Sequence, residues 1–236
     1  MAARCCNVGK GERCSLPEVA RRLRLDEGDV QRLTDAGIAL RFAAGETIYM
    51  EGDPCRGLYC IASGRVVTRK IDFEGNSVLI RLSEVGDTLG HRALLAGEVH
   101  GTATQALTPV ALCLVPRPVA ERLLAHSPEL ALALARRMAA DLRAAEDRFL
   151  RTAVHCVRDR LAHLLLELAR EQAAGTPHGV RIVELPVSRQ DLAAMVGIRP
   201  ETLARTIRAM EQEGLAAFHG RQVVILRPLL PDKELR

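Results

Sequence analysis

The chain has no tryptophan, two tyrosines and four phenylalanines, so aromatic residues make up only 3% of its 236 positions. Proteins that hold single-stranded nucleic acid or RNA by stacking bases on rings need more, which disfavours that class. No run of about 18 apolar residues occurs, and the N-terminus lacks the apolar stretch of a secretion signal. The expectation is a soluble, cytoplasmic protein with no membrane partner. A nucleophile elbow, an HExxH zinc motif and a dinucleotide fingerprint are also missing. "GKGERCS", residues 9–15, looks superficially like a phosphate loop but lacks the GK[ST] ending and a preceding strand. An enzyme is therefore not expected.

Cysteine is not scarce. There are seven, an odd number, and in a reducing compartment that argues against a disulfide framework. Free thiols, metal ligands or a redox switch remain. Three of them, Cys5, Cys6 and Cys14, crowd a glycine-flecked opening segment. Basic residues outnumber acidic ones by 33 to 29, a net charge of +4 that permits nucleic-acid binding without requiring it. Hydrophobic residues, at 48%, suffice for a proper core.

The chain divides by texture. Residues 1–37 hold the cysteine-bearing tail and a short helix. Residues 38–116 read as short apolar runs cut by glycines at 45, 52, 64, 75, 86 and 90, the pattern of an antiparallel sandwich or small barrel. "DFEGNS" between "RVVTRKI" and "VLIRL" reads as a hairpin turn. Residues 117–150 turn helical, with Ser127-Pro128 breaking one helix and opening the next. Leu130, Leu134, Met138, Leu142 and Phe149 then recur on one side. That narrow stripe suits either pairing with another helix, which the pattern favours, or packing on the chain's own barrel. Leu134, Met138, Leu142 and Phe149 are the candidate dimer contacts. Residues 151–236 contain another helix, "VRDRLAHLLLELAREQAA", and a compact block from Val180 to Leu226.

Within that block, "RQDLAAMVGIRPETLARTIR" (189–208) has the residue types of a helix-turn-helix. Two helices crossing at roughly 90–120° need a small residue at the contact, here Ala193. The tight turn needs a glycine where φ becomes positive, here Gly197. Leu203 supplies the apolar side chain that the second helix buries, with Leu192, Val196, Ile198 and Ile207 around it. Ser188 and Asp191 form a plausible capping box, the acid standing in for glutamate. Gly214 ends the second helix, and "LAAFHGRQVVIL" reads as a hairpin turning at Gly220. The result is a winged helix-turn-helix, whose second helix enters the DNA major groove. Arg199, Glu201, Thr202, Arg205 and Arg208 are its exposed candidates. Arginine matches guanine O6 and N7, and glutamate accepts from cytosine N4. Glu201 and Arg205, four apart, share a face and can orient one another. Arg189, Arg208 and Arg221 are assigned to phosphates, which supply affinity rather than sequence choice.

Taken together, "GETIYMEGDPCRGLYCIASGRV", "SEVGDTLG" and "VSRQDLAAMVGIRPETLARTIRAMEQEGL" make the chain similar, over nearly its whole length, to the CRP/FNR family of bacterial transcription regulators. The resemblance implies an α+β protein: an N-terminal antiparallel β-roll (a cupin-like sensor domain), a long dimerisation helix and a C-terminal winged helix-turn-helix. It also implies a homodimer on double-stranded DNA with a two-fold symmetric site, in contact with RNA polymerase. By that resemblance Glu201 and Arg205 match the base-reading pair, and Ser188 and Thr202 match hydroxyls that touch phosphate. Pro200 and Ala204 depart from the cAMP receptor and FNR respectively, leaving the half-site open beyond a TG-containing core. Cyclic-nucleotide members carry Gly-Glu-Leu followed by Arg-Ser. Here His91 replaces the acid and Gly101-Thr102 replaces Arg-Ser, so no cyclic nucleotide is expected.

FNR-like members hold a [4Fe–4S] cluster with three tail cysteines and one from the roll. Cys113 matches the roll ligand, and Cys5, Cys6 and Cys14 complete the metal set, the four thiolates such a cluster uses. The adjacency of Cys5 and Cys6 departs from the family spacing and keeps a thiol–disulfide switch or a zinc site open. His91 and His100 keep haem open, and an effector-independent DNA-binding protein is a further alternative. Cys55, Cys60 and Cys156 read as small packed hydrophobes. The acidic residue that opposes pairing in FNR is matched by Ala145, with Glu146 and Asp147 following it.

Overall fold

The computed structural model describes residues 16–74, 77–172 and 181–230. Cys5, Cys6 and Cys14 lie outside the described residues. Two compact units divide the chain between Arg143 and Ala144.

The first unit opens with helices α1 (Pro17–Leu23) and α2 (Glu27–Ala36). Eight strands follow: β1 (Ile38–Phe42), β2 (Thr47–Tyr49), β3 (Gly57–Ser63), β4 (Val66–Ile71), β5 (Ser77–Ser83), β6 (Thr88–Leu89), β7 (Ala103–Ala106) and β8 (Val110–Pro116). They build two four-stranded antiparallel sheets, ordered β1-β8-β3-β6 and β2-β7-β4-β5. The expected hairpin is present: β4 pairs with β5 from Ile71↔Ser77 to Val66↔Ser83. The short helix α3 (His91–Ala96) follows β6. After β8 come α4 (Arg117–His126) and the long α5 (Pro128–Val154), whose C-terminal end belongs to the second unit.

Alternation along β8 sets out the core. Val110, Leu112 and Leu114 face the inside of the roll with Leu40, Phe42, Tyr59, Ile61 and Val66. Cys113 and Val115 point the other way, into a second cluster with Val19 and Leu23 of α1, Leu33 of α2, and Leu130 and Leu134 of α5. One sheet is thus buried on both faces, which is why β3 and β8 read as nearly continuous apolar runs. The Ser127-Pro128 break does what its composition suggests. The Ser127 hydroxyl accepts the Leu130 N–H at 3.1 Å, capping α5, and donates to the buried Asp29 carboxylate at 2.5 Å.

The second unit contains α6 (Val157–Gln172), β9 (Arg181–Glu184), α7 (Arg189–Val196), α8 (Pro200–Gln212), β10 (Ala216–His219) and β11 (Gln222–Ile225). Its sheet runs β10-β11-β9, so the expected hairpin has a third strand, β9, that the sequence pattern did not disclose. Leu161, Leu165, Val183, Leu185, Leu192, Leu203, Met210 and Val223 are its buried core. Among the described residues no helix is long and apolar enough to cross a membrane.

Candidate nucleic-acid interface and sensor residues

Ser188 caps α7, its hydroxyl accepting from the Asp191 N–H at 3.1 Å and donating to the Asp191 carboxylate at 2.8 Å. That closed pair fixes where the helix begins and engages the hydroxyl assigned by resemblance to phosphate. Ala193 is buried at the contact, and Gly197 turns the chain at φ +74°. A side chain in that left-handed region would be strained. Leu203, Ile207 and Met210 bury the inner face of α8. Its outer face presents Glu201, Arg205 and Arg208, with Arg199 just before Pro200, all exposed, while Thr202 is half-buried. Arg205 Nη2 leans toward the Thr202 hydroxyl at 3.4 Å rather than toward Glu201.

Arg189 departs from the free phosphate arm that the sequence suggests. Its guanidinium lies 4.8 Å from the centre of the Phe218 ring on β10, and its Nη2 donates to the Gly220 carbonyl at 3.2 Å. Burial lowers its pKa, with nearby Glu211 acting in the opposite sense. The only sequence signal for Phe218 is that it is a rare aromatic in a wing strand.

At the position of the missing nucleotide-binding acid, His91 is buried. Its Nε2 meets the Asp141 carboxylate at 3.0 Å and its Nδ1 the Thr88 hydroxyl at 3.3 Å. Asp141, on α5, also takes Arg81 and Arg137, both at 3.1 Å. Asp87, nearly buried, gathers Arg22 of α1, Arg81 of β5 and Arg137 of α5 at 3.1, 3.1 and 2.9 Å. The polar groups here are therefore occupied with one another, and they join α1, the roll and α5 in one ionic network. His100 is buried as well, stacked on Tyr49 with ring centroids 3.7 Å apart.

Cys113 is buried on β8 directly across from Cys60 of β3. Cys55, Cys60 and Cys156 are free thiols, whereas Cys113 is disulfide-bonded. Burial pushes the Cys60 thiol up to about 12, so it stays protonated and behaves as a packed hydrophobe. Among the described residues no three His, Cys, Asp or Glu side chains converge as a metal site.

The candidate pairing stripe divides. Leu134 is fully buried in the cluster beneath the roll, so the packing alternative holds there and Leu134 cannot form the exposed pairing surface. Met138 is half-buried. Leu142 and Phe149 are exposed, at 61% and 77%, together with Leu150 and Val154.

A capped helix, a glycine turn, a second helix fringed with arginines and a trailing wing define a DNA-binding transcription regulator. Residues 159–229 match the Crp-like helix-turn-helix domain, and residues 39–127 match the cyclic nucleotide-binding domain. The latter is a match of fold, since the nucleotide-binding acid and Arg-Ser pair are replaced. The nitrogen fixation regulation protein FixK of Azorhizobium caulinodans is 28% identical over 212 residues, 89% of this chain and 84% of the relative. The fumarate and nitrate reduction regulatory protein of Escherichia coli is 25% identical over 215 residues, covering 90% and 84%. The solved structure of FixK2 from Bradyrhizobium japonicum superposes with a TM-score of 0.68 at 27% identity, covering 81% of this chain and 93% of that one. The chain belongs to the CRP/FNR family of transcription regulators.

Proposed function

We propose that this regulator, as a homodimer on a two-fold symmetric DNA site, senses oxygen, nitric oxide or redox state through Cys113 together with Cys5, Cys6 and Cys14. The observation that carries the reading is the place of Cys113. It sits on the outer face of β8, in the same apolar cluster as Leu16, the first described residue. Four thiolates are the donor set of a [4Fe–4S] cluster, which would supply reactivity toward oxidants and gases when bound, and of the four Cys113 lies among apolar side chains. The chain's own part is to keep Cys113 dry and to tie α1 to α5 through Arg22, Asp87 and Arg137. Glu201 and Arg205 read bases, Thr202 and Arg208 lie toward the backbone, and RNA polymerase is the protein partner. No cyclic nucleotide enters the proposal, because His91 and the neighbouring guanidiniums are already engaged by Asp87 and Asp141.

A second reading is favoured by the disulfide-bonded state of Cys113: a thiol–disulfide switch of the same cysteines, without metal. One experiment separates the two. Protein purified without oxygen is measured for visible absorption, iron and acid-labile sulfide, beside Cys113→Ser. A broad band near about 400 nm, bleached by air and lost in the variant, is expected for the cluster. A colourless, iron-free protein even after cluster reconstitution overturns it. The switch would then show as thiols lost on oxidation in the wild type and retained in Cys113→Ser.

A further inference from the structure

We infer that Arg189 serves DNA binding as the latch that holds the wing, not as a phosphate contact. This rests on the DNA-binding role of the C-terminal unit and adds a positioning residue to it.

Arg189 is the first residue of α7, immediately after its cap, where the chain would be expected to offer a basic side chain to a phosphate. Its guanidinium instead covers the Phe218 ring at 4.8 Å and donates to the carbonyl of Gly220 at 3.2 Å. Gly220 sits at the wing tip with φ +60°, so the acceptor belongs to the tight turn between β10 and β11. Arg189 Nη1 is buried and has no hydrogen-bond partner among the described residues, which puts that donor out of a phosphate's reach. From the other side, Glu211 near the end of α8 accepts the Phe218 N–H at 3.0 Å. The same carboxylate attracts the Arg189 charge. Strand β10 is thereby held twice: by its ring from α7 and by its backbone from α8.

The chemistry explains why arginine is needed. A planar guanidinium can stack on a ring and donate edge-on to a carbonyl at the same time, whereas an ammonium on a flexible stem does not reproduce that fork. The wing itself is a short two-strand hairpin backed by β9, and such hairpins hold their position through packing on neighbours. Holding it beside the start of α7 fixes the exposed wing residue Arg221 relative to the recognition helix. Arg189 would then influence affinity through Arg221 and the wing backbone without touching DNA.

The two roles separate under substitution. If Arg189 contacted phosphate, Arg189→Lys would keep most of the affinity, since lysine also neutralises phosphate, and Phe218→Ala would leave the contact intact. The latch predicts the opposite. Arg189→Lys and Phe218→Ala should each weaken binding by about tenfold, the loss of one aromatic–cation contact. The double variant should be no weaker than either alone. Phe218→Tyr, which keeps the ring face, should restore wild-type affinity, while Phe218→Leu, which keeps apolar area only, should not.

The probe is a labelled duplex bearing a symmetric TG-containing site, titrated by fluorescence anisotropy at fixed salt. Amide exchange of the free protein gives a second readout that needs no DNA. Faster exchange across β10–β11 in Arg189→Lys and Phe218→Ala, with α7 and α8 unchanged, is expected. If Phe218→Ala does not fold, Phe218→Leu takes its place. Wild-type affinity in Arg189→Lys, additive losses in the double variant, or unchanged wing exchange would each overturn the latch. Failure of the wild type itself to bind duplex DNA would count against the DNA-binding role, and the exchange measurement would still decide whether the latch exists.

Discussion

His100 combines order with an uncompensated atom. Its ring stacks on Tyr49, its N–H donates to the Asp53 carbonyl and its carbonyl accepts from Gly52, so the residue is fixed on both sides. Nε2 is nevertheless buried with no hydrogen-bond partner among the described residues. Burial lowers the His100 pKa, and the charge of Asp53 offsets this only in part. A histidine whose folded pKa lies below its unfolded one binds its proton more readily in the unfolded chain. Stability is therefore full above the unfolded value, about 6.5, and falls as the pH drops from there toward the folded value. His100→Phe keeps the stack and removes both the unmatched nitrogen and the titration. Its melting temperature should fall less than that of the wild type between about pH 7.5 and about pH 5.5, as read by calorimetry. Equal losses would mean that protonation of His100 costs the fold nothing.

Helix α5 shows what a periodic stripe can and cannot say. Its spacing disclosed a long amphipathic helix but could not mark where the neighbour changes. Leu130 and Leu134 fill the core under the roll, whereas Leu142, Phe149, Leu150 and Val154 stand exposed. Exposed apolar groups along the end of one helix fit the proposed pairing surface. Leu134→Ala should therefore cost about 2–5 kcal/mol of fold stability in thermal or urea unfolding. Leu142→Glu should leave the fold intact and convert dimer to monomer in sedimentation. A dimer unaffected by Leu142→Glu and by Phe149→Glu would refute that assignment.

The helix-turn-helix was legible residue by residue because sterics demand Ala193, Gly197, Leu203 and the Ser188–Asp191 cap at their positions. The roll was legible because its turns need glycine. Strand β9 was not, since four residues carry little pattern and their partner β11 lies far along the chain. The same holds for the Asp87–Asp141 network and for Arg189 on Phe218, which are pairings across elements that no local spacing encodes.

At the scale of the whole molecule, the open matter is what a signal changes. By the family resemblance, the acid that opposes pairing is matched in this chain by Ala145. Like charges brought face to face across a pairing seam oppose association, by an amount that grows as water is excluded. Ala145 imposes no such penalty, while Glu146 and Asp147 stand exposed beside it. The exposed apolar end of α5 is then free to pair whatever the state of the cysteines. We expect sedimentation at micromolar concentration to give a dimer both in air and without oxygen, with DNA affinity differing between the two. Ala145→Asp should restore the opposition, lowering the dimer fraction in air. Should the wild type itself dissociate on oxidation, assembly would be the switch and the missing charge irrelevant. If it stays dimeric while its affinity changes, the signal acts after assembly, on how an existing dimer presents its two recognition helices to a symmetric site.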